Sequence, residues 1–210
     1  MPMPDTDKIL ESLAIIANSW VSLAVLWHAY FGVLFAAALL GWRPSRRVAG
    51  GLTVPPLLSV SGLAWSVGNP FNGTMFALLA LGCSALVSRL KRRPVSIAPR
   101  AWIAAGTMLS AFGWLYPHFL ETGSFLAYTY AAPLGLIPCP TLSMLGGLSL
   151  IFGGLGSRAW ILVLGVAGLF YGLFGAMHLD VIFDWALAVG AMCLIALLAR
   201  EKERLGTGDD

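Results

Sequence analysis

Charge is what this sequence has least of. Only 11% of its 210 residues are Asp, Glu, Lys or Arg, where an ordinary soluble domain has about a quarter. With 58% hydrophobic residues and a mean hydropathy of +0.81, there is more apolar surface than one globular core can hold. That excludes a soluble enzyme and a disordered regulator, and makes the lipid bilayer the first expected partner. Nucleic acid is excluded as well, because the net charge is only +3 and the basic residues fall between apolar blocks. Cysteine is scarce, with three residues and no Cys-x2-Cys, so a disulfide-stapled secreted domain is ruled out. The three histidines form no His-x3-His pair, and no lysine lies inside an apolar block, which excludes a retinal protein. No repeat of solenoid period and no low-complexity tract is present. Asp5, Asp7 and Glu11 stand where a secretory signal would be basic, and the first apolar run is too long for one.

What is there is a series of uncharged blocks, each to be measured against the ~20 apolar residues that a spanning helix needs. Ser12 to Trp42 is free of charge and reads as one long or tilted helix. Val48 to Ser88 runs for 41 residues, twice the length of a span. Its middle, Gly68-Asn69-Pro70-Phe71-Asn72-Gly73, is turn chemistry that divides it into two helices. Pro55-Pro56 is expected to kink the first of these. Ala101 to Leu120 is another span. After Glu121 the first half of a 36-residue uncharged stretch is rich in Tyr, Pro and Gly and reads as an ordered loop or re-entrant segment. The expectation is an all-α, polytopic transmembrane bundle of seven helices in one domain, over 14–42, 48–67, 73–90, 101–120, 140–156, 159–179 and 180–199. Six helices with one block re-entrant is the alternative. Glycines at 165, 168, 172 and 175 form a small-residue stripe suited to close helix packing.

With seven helices, twelve of the thirteen Lys and Arg fall on one side together with four acids, a net charge of +8. Lys8 and six acids fall on the other, a net charge of −5. The positive-inside rule then puts the N-terminus outside and the C-terminus inside. The Arg89 to Arg93 cluster reads as a topology signal or as a site for an anionic lipid or partner.

Ionisable groups inside a membrane are costly, so each needs a reason. The candidates are His28, His118, Glu121, Cys139, His178, Asp180 and Asp184. His118 and Glu121 share a helical face at the outer end of the fourth span. His178 closes the sixth span and Asp180 opens the seventh, with Asp184 one turn on. His28 lies deeper, about 20 Å from the inner basic flank at 1.5 Å per residue. His and Asp suit zinc, copper or iron, and two outer histidines suit a haem, so a metal ion or haem is one reading. Separate interfacial hydrogen bonds are the other. If these groups converge, the carboxylates raise the histidine pKa. In Ile137-Pro138-Cys139-Pro140-Thr141, Pro140 suits the first position of a helix and Cys139 its cap, where a thiolate is stabilised. That leaves either a reactive thiol or a small capping residue. Cys83 and Cys193 read as apolar core. Trp20, Trp65, Trp114, Tyr116, Tyr128 and Tyr130 read as an outer aromatic belt or as the lining for an apolar, quinone-like ligand.

Pro138-Cys139-Pro140-Thr141 opening a Gly-rich apolar helix, with Asn69-Pro70, Tyr116-Pro117 and the acidic start of the last helix, resembles an uncharacterised family of seven-helix bacterial membrane proteins, a domain of unknown function. The resemblance implies that fold and the bacterial cytoplasmic membrane. Members often carry aromatic and histidine residues before their Asn-Pro, where this sequence has Trp65-Ser66. Three functions stay open: binding or transport of a small solute or metal ion from the extracytoplasmic side, a metal- or thiol-dependent membrane enzyme, and an accessory subunit of a membrane complex or homo-oligomer. The sequence differs from the seven-helix metal-dependent hydrolases of the ceramidase type, which carry Ser-x3-His and His-x3-His.

Overall fold

The computed structural model describes residues 6–206, with side chains over 6–199. Among the described residues the chain is helical and contains no strand. The helices are α1 (Thr6–Ser19), α2 (Val21–Leu39), α3 (Arg46–Gly51), α4 (Val54–Ser66), α5 (Pro70–Arg89), α6 (Arg100–Leu115), α7 (Tyr128–Ala131), α8 (Pro138–Ile151), α9 (Arg158–His178) and α10 (Trp185–Gly206). Five stretches are long and apolar enough to cross a bilayer: Val21–Leu39, Arg46–Ser66, Pro70–Arg89, Arg158–His178 and Ile182–Ala199. Large apolar side chains such as Leu26, Val33, Leu78, Leu81, Met108 and Val166 are exposed around the outside. Water would not tolerate so extensive an apolar surface, whereas lipid would.

Several boundaries differ from those expected. The first uncharged block is two helices, α1 and α2, broken at Trp20. Pro55 and Pro56 do not kink a continuing helix. They occupy the first turn of α4, where a missing N–H costs nothing, and the break falls just before them at Leu52 and Thr53. Asn69 caps α5, its side chain accepting from the Asn72 N–H at 3.1 Å, while its amide donates to Ser12 Oγ at 2.8 Å and ties α1 to this turn. The last helix starts at Trp185 after a 3₁₀ turn over Ile182–Asp184. Asp180 precedes that turn in the left-handed region, with φ 57°, so it ends the α9 turn and does not open a helix.

A short apolar helix lies at the centre. α8 is buried on nearly every side, and it packs against α6, α9, α10 and α4. Its small residues permit this. A Cβ on Gly147 would come within 2.5 Å of the Gly106 carbonyl on α6, and one on Gly113 of α6 within 2.6 Å of the Pro140 carbonyl on α8. Around this seam Phe31, Leu57, Phe76, Met144, Leu145 and Trp160 form the main apolar core. The glycine stripe of α9 faces α10 in the same manner. Gly165 meets Ile195, Gly168 meets Ala191 and Gly172 meets Ala188.

The loops sort by charge. Those around Arg43–Arg47 and Arg89–Arg100 pair through Arg46 N–H to the Arg93 carbonyl and Val95 N–H to the Pro44 carbonyl, both 2.9 Å. Ala98 N–H bonds the Ile151 carbonyl at 2.9 Å, bringing in the end of α8. At the opposite end the Asn18 side chain donates to the Phe119 carbonyl at 2.9 Å and accepts from the Glu121 N–H at 2.8 Å.

Candidate functional site

The segment before α8 sets the site. Gly135 takes φ 73° and lies against the Trp27 ring with no room for a Cβ, while its N–H bonds Thr141 Oγ1 at 3.0 Å. Thr141 Oγ1 donates in turn to the Ile137 carbonyl at 2.7 Å. This small network fixes where α8 begins. The helix starts two residues earlier than expected, with Ile137 as the cap residue and Pro138 in the first turn. Cys139 therefore sits inside the first turn of the helix.

From there Cys139 reaches Asp184. Its thiol donates to Asp184 Oδ2 at 3.1 Å, and the Tyr116 hydroxyl donates to Asp184 Oδ1 at 2.7 Å. One carboxyl group thus joins the end of α6, the start of α8 and the 3₁₀ turn before α10. Asp184 is 2% exposed and Tyr116 fully buried. Gly175 of α9 makes room for the carboxyl, since a Cβ there would overlap Asp184 Oδ2. Beside the group is a void of about 20 Å³, lined by Asn72, Tyr116, Cys139, Tyr171 and Asp184 among apolar neighbours. That is room for one water molecule or one ion. The Tyr171 hydroxyl donates to Asn72 Oδ1 at 3.1 Å, so the far wall is also hydrogen-bonded.

The structure thus brings Cys139 and Asp184 together and leaves the other candidates apart. His28 is buried, with Nδ1 at 2.8 Å from the Ala24 carbonyl and Nε2 at 3.0 Å from the Trp114 carbonyl. It joins α2 to α6 through the backbone. The His118 ring lies against Phe119 and Phe183, and the His178 ring against Phe174. Neither imidazole hydrogen-bonds to Asp180 or Asp184 among the described residues. Burial lowers the His118 pKa below the ordinary imidazole value, opposite to the rise expected from a carboxyl partner. Glu121 is exposed. Among the described residues no three His, Cys, Asp or Glu side chains converge on a point where they could share a metal ion. The aromatic residues expected to form a belt also divide: Trp114 Nε1 donates to the Thr129 carbonyl at 2.8 Å, while Tyr116 belongs to the Asp184 centre. Tyr171, Asn72 and Gly175 were not among the candidates. Gly175 was legible only as part of the packing stripe.

The chain matches no known protein family, no curated protein and no solved structure.

Proposed function

We propose that this chain is a polytopic protein of the bacterial cytoplasmic membrane that binds a small solute, the size of a single ion, at the Asp184 centre. In this reading it crosses seven times, the α6 and α8 segments adding to the five long apolar stretches, with the N-terminus outside and the C-terminus inside. The gathering of the basic loops at one end supports that orientation. The resemblance of Pro138-Cys139-Pro140-Thr141 to a motif of uncharacterised bacterial membrane proteins bears on the fold and the membrane location only.

One observation carries the binding reading. A carboxyl group 2% exposed accepts from a thiol and a phenol beside an ion-sized void. Ionisable groups at such depth mark solute and ion pathways. The donor set is one thiol, one carboxyl and neutral oxygens from Tyr116 and Asn72. It suits a single soft or borderline cation more than the closed four-ligand geometry of structural zinc.

Cadmium is a suitable probe, because a cadmium–thiolate bond has its own ultraviolet charge-transfer band. Titrating Cd²⁺ into the purified protein in detergent should raise that band as Cys139 gives its proton to water and a Cd–S bond forms. Cys139→Ser should abolish the band, and Cys83→Ser and Cys193→Ser should keep it. Asp184→Asn should weaken binding about tenfold or more, equivalent to ~1.4 kcal/mol. Absence of the band in the native protein, or its survival in Cys139→Ser, would exclude this centre.

A further inference from the structure

The inner half of the protein contains a much larger hollow. It measures about 480 Å³ and lies between α2 and α3 on one flank and α6 and α8 on the other. Sites that enclose a small organic ligand span roughly 300–1,000 Å³. The walls are apolar, with Phe31, Phe35 and Ala38 from α2, Leu148 from α8 and Trp160 from α9. The course of α2 creates the space. This helix packs on α7 and α1, while Leu39 at its end and Leu40 just after it are 88% and 89% exposed. The hollow therefore borders the surface that faces lipid.

The charge at its inner end has one sign. Arg43 lines the hollow and donates through Nη1 to the Ala38 and Trp42 carbonyls, which anchors the guanidinium there. A guanidinium has five N–H donors, so most of them remain for another acceptor. Arg46 and Arg47 follow at once, and the loop paired with them carries four more basic residues between 89 and 93. The Arg46 Nε–H is buried with no hydrogen-bond partner. No Asp or Glu occurs anywhere between Glu11 and Glu121 to balance this charge.

An apolar hollow open toward lipid, closed at the headgroup level by arginine, matches an anionic phospholipid in both of its parts. We infer that it holds one acyl chain of such a lipid, with the phosphate at Arg43 and its basic neighbours. Basic pockets between membrane helices bind anionic headgroups in this way. The inference requires only that the chain sits in a bilayer, and is independent of the Asp184 centre.

The test is native mass spectrometry of the full chain after exchange into equal amounts of phosphatidylglycerol and phosphatidylcholine. The native protein should retain phosphatidylglycerol preferentially. Arg43→Gln should weaken that retention about fivefold, the effect of one basic residue near an anionic surface. Ala38→Phe and Thr107→Phe, filling the hollow from opposite walls, should each reduce retention of both lipids, and either alone suffices if the other misfolds. An excess of glycerol phosphate should not displace the lipid, because it lacks the chain. Equal retention of the two lipids by the native protein would overturn the inference. So would full displacement by glycerol phosphate, or filled variants that hold lipid as the native protein does.

Discussion

Asp184→Ala should be among the most damaging single substitutions in the protein, costing about 2–5 kcal/mol in reversible unfolding in mixed micelles. Removing the carboxyl leaves the Cys139 thiol and the Tyr116 hydroxyl without their acceptor in a site where Asp184 is 2% exposed. Each orphaned buried donor costs roughly 1–3 kcal/mol. Asp184→Asn should cost less, because the amide oxygen can still accept from Tyr116. The contacts should also show in a double-mutant cycle. With Cys139 already alanine, the loss from Asp184→Ala should shrink, since one of the two donors is gone. Strict additivity would mean that the Cys139 contact contributes no stability, and an Asp184→Ala protein within about 0.5 kcal/mol of the native one would mean that the carboxyl holds nothing together.

The second large effect should come from a residue with no functional group. Gly147→Leu places a side chain where a Cβ would already lie 2.5 Å from the Gly106 carbonyl and 2.7 Å from the Ser110 N–H. Both are backbone atoms and neither can rotate aside. The α6–α8 seam must open, at a cost of at least about 3 kcal/mol, the upper end for overpacking. Because α8 carries Cys139 and α6 leads into Tyr116, the same change should also loosen the Asp184 centre. Gly82→Leu is the matched control on α5, where a Cβ meets nothing within 4 Å. It should leave stability unchanged or raise it slightly, since glycine is the weaker helix former. Equal losses at both positions would point to a generic effect of adding bulk in a membrane helix.

These two sites mark how far the sequence was legible. The division into apolar blocks could be read because charges and Asn-Pro or Asn-Gly pairs interrupt the chain, and each interruption acts locally. The break at Trp20 could not be read, for no proline, glycine or charge marks it. The start of α10 was misplaced because Asp180 resembles an acidic first-turn residue, while its left-handed φ of 57° depends on how α9 is brought to an end. Cys139 and Asp184 each stood out alone, one in a proline turn and the other as an acid deep in a helix. Their contact spans 45 positions of sequence and depends on the tertiary arrangement of α8 and α10. Tyr116 looked like a belt residue because its ring type fits both roles, and only the position of its hydroxyl separates them. His118 and His178 drew attention for the same reason in reverse. Their chemistry suits a site, but their rings rest on Phe119, Phe183 and Phe174.

The most direct test uses a protein whose only thiol is Cys139, with Cys83 and Cys193 changed to alanine, in sealed vesicles of known sidedness. The rate at which a membrane-permeant maleimide alkylates Cys139 is measured with Cd²⁺ added on one side at a time. Cadmium on the extracytoplasmic side should slow alkylation strongly, and Asp184→Asn should remove most of that protection. An alkylation rate indifferent to cadmium, or protection only when it is added on the cytoplasmic side, would contradict an outward-facing solute site at Asp184.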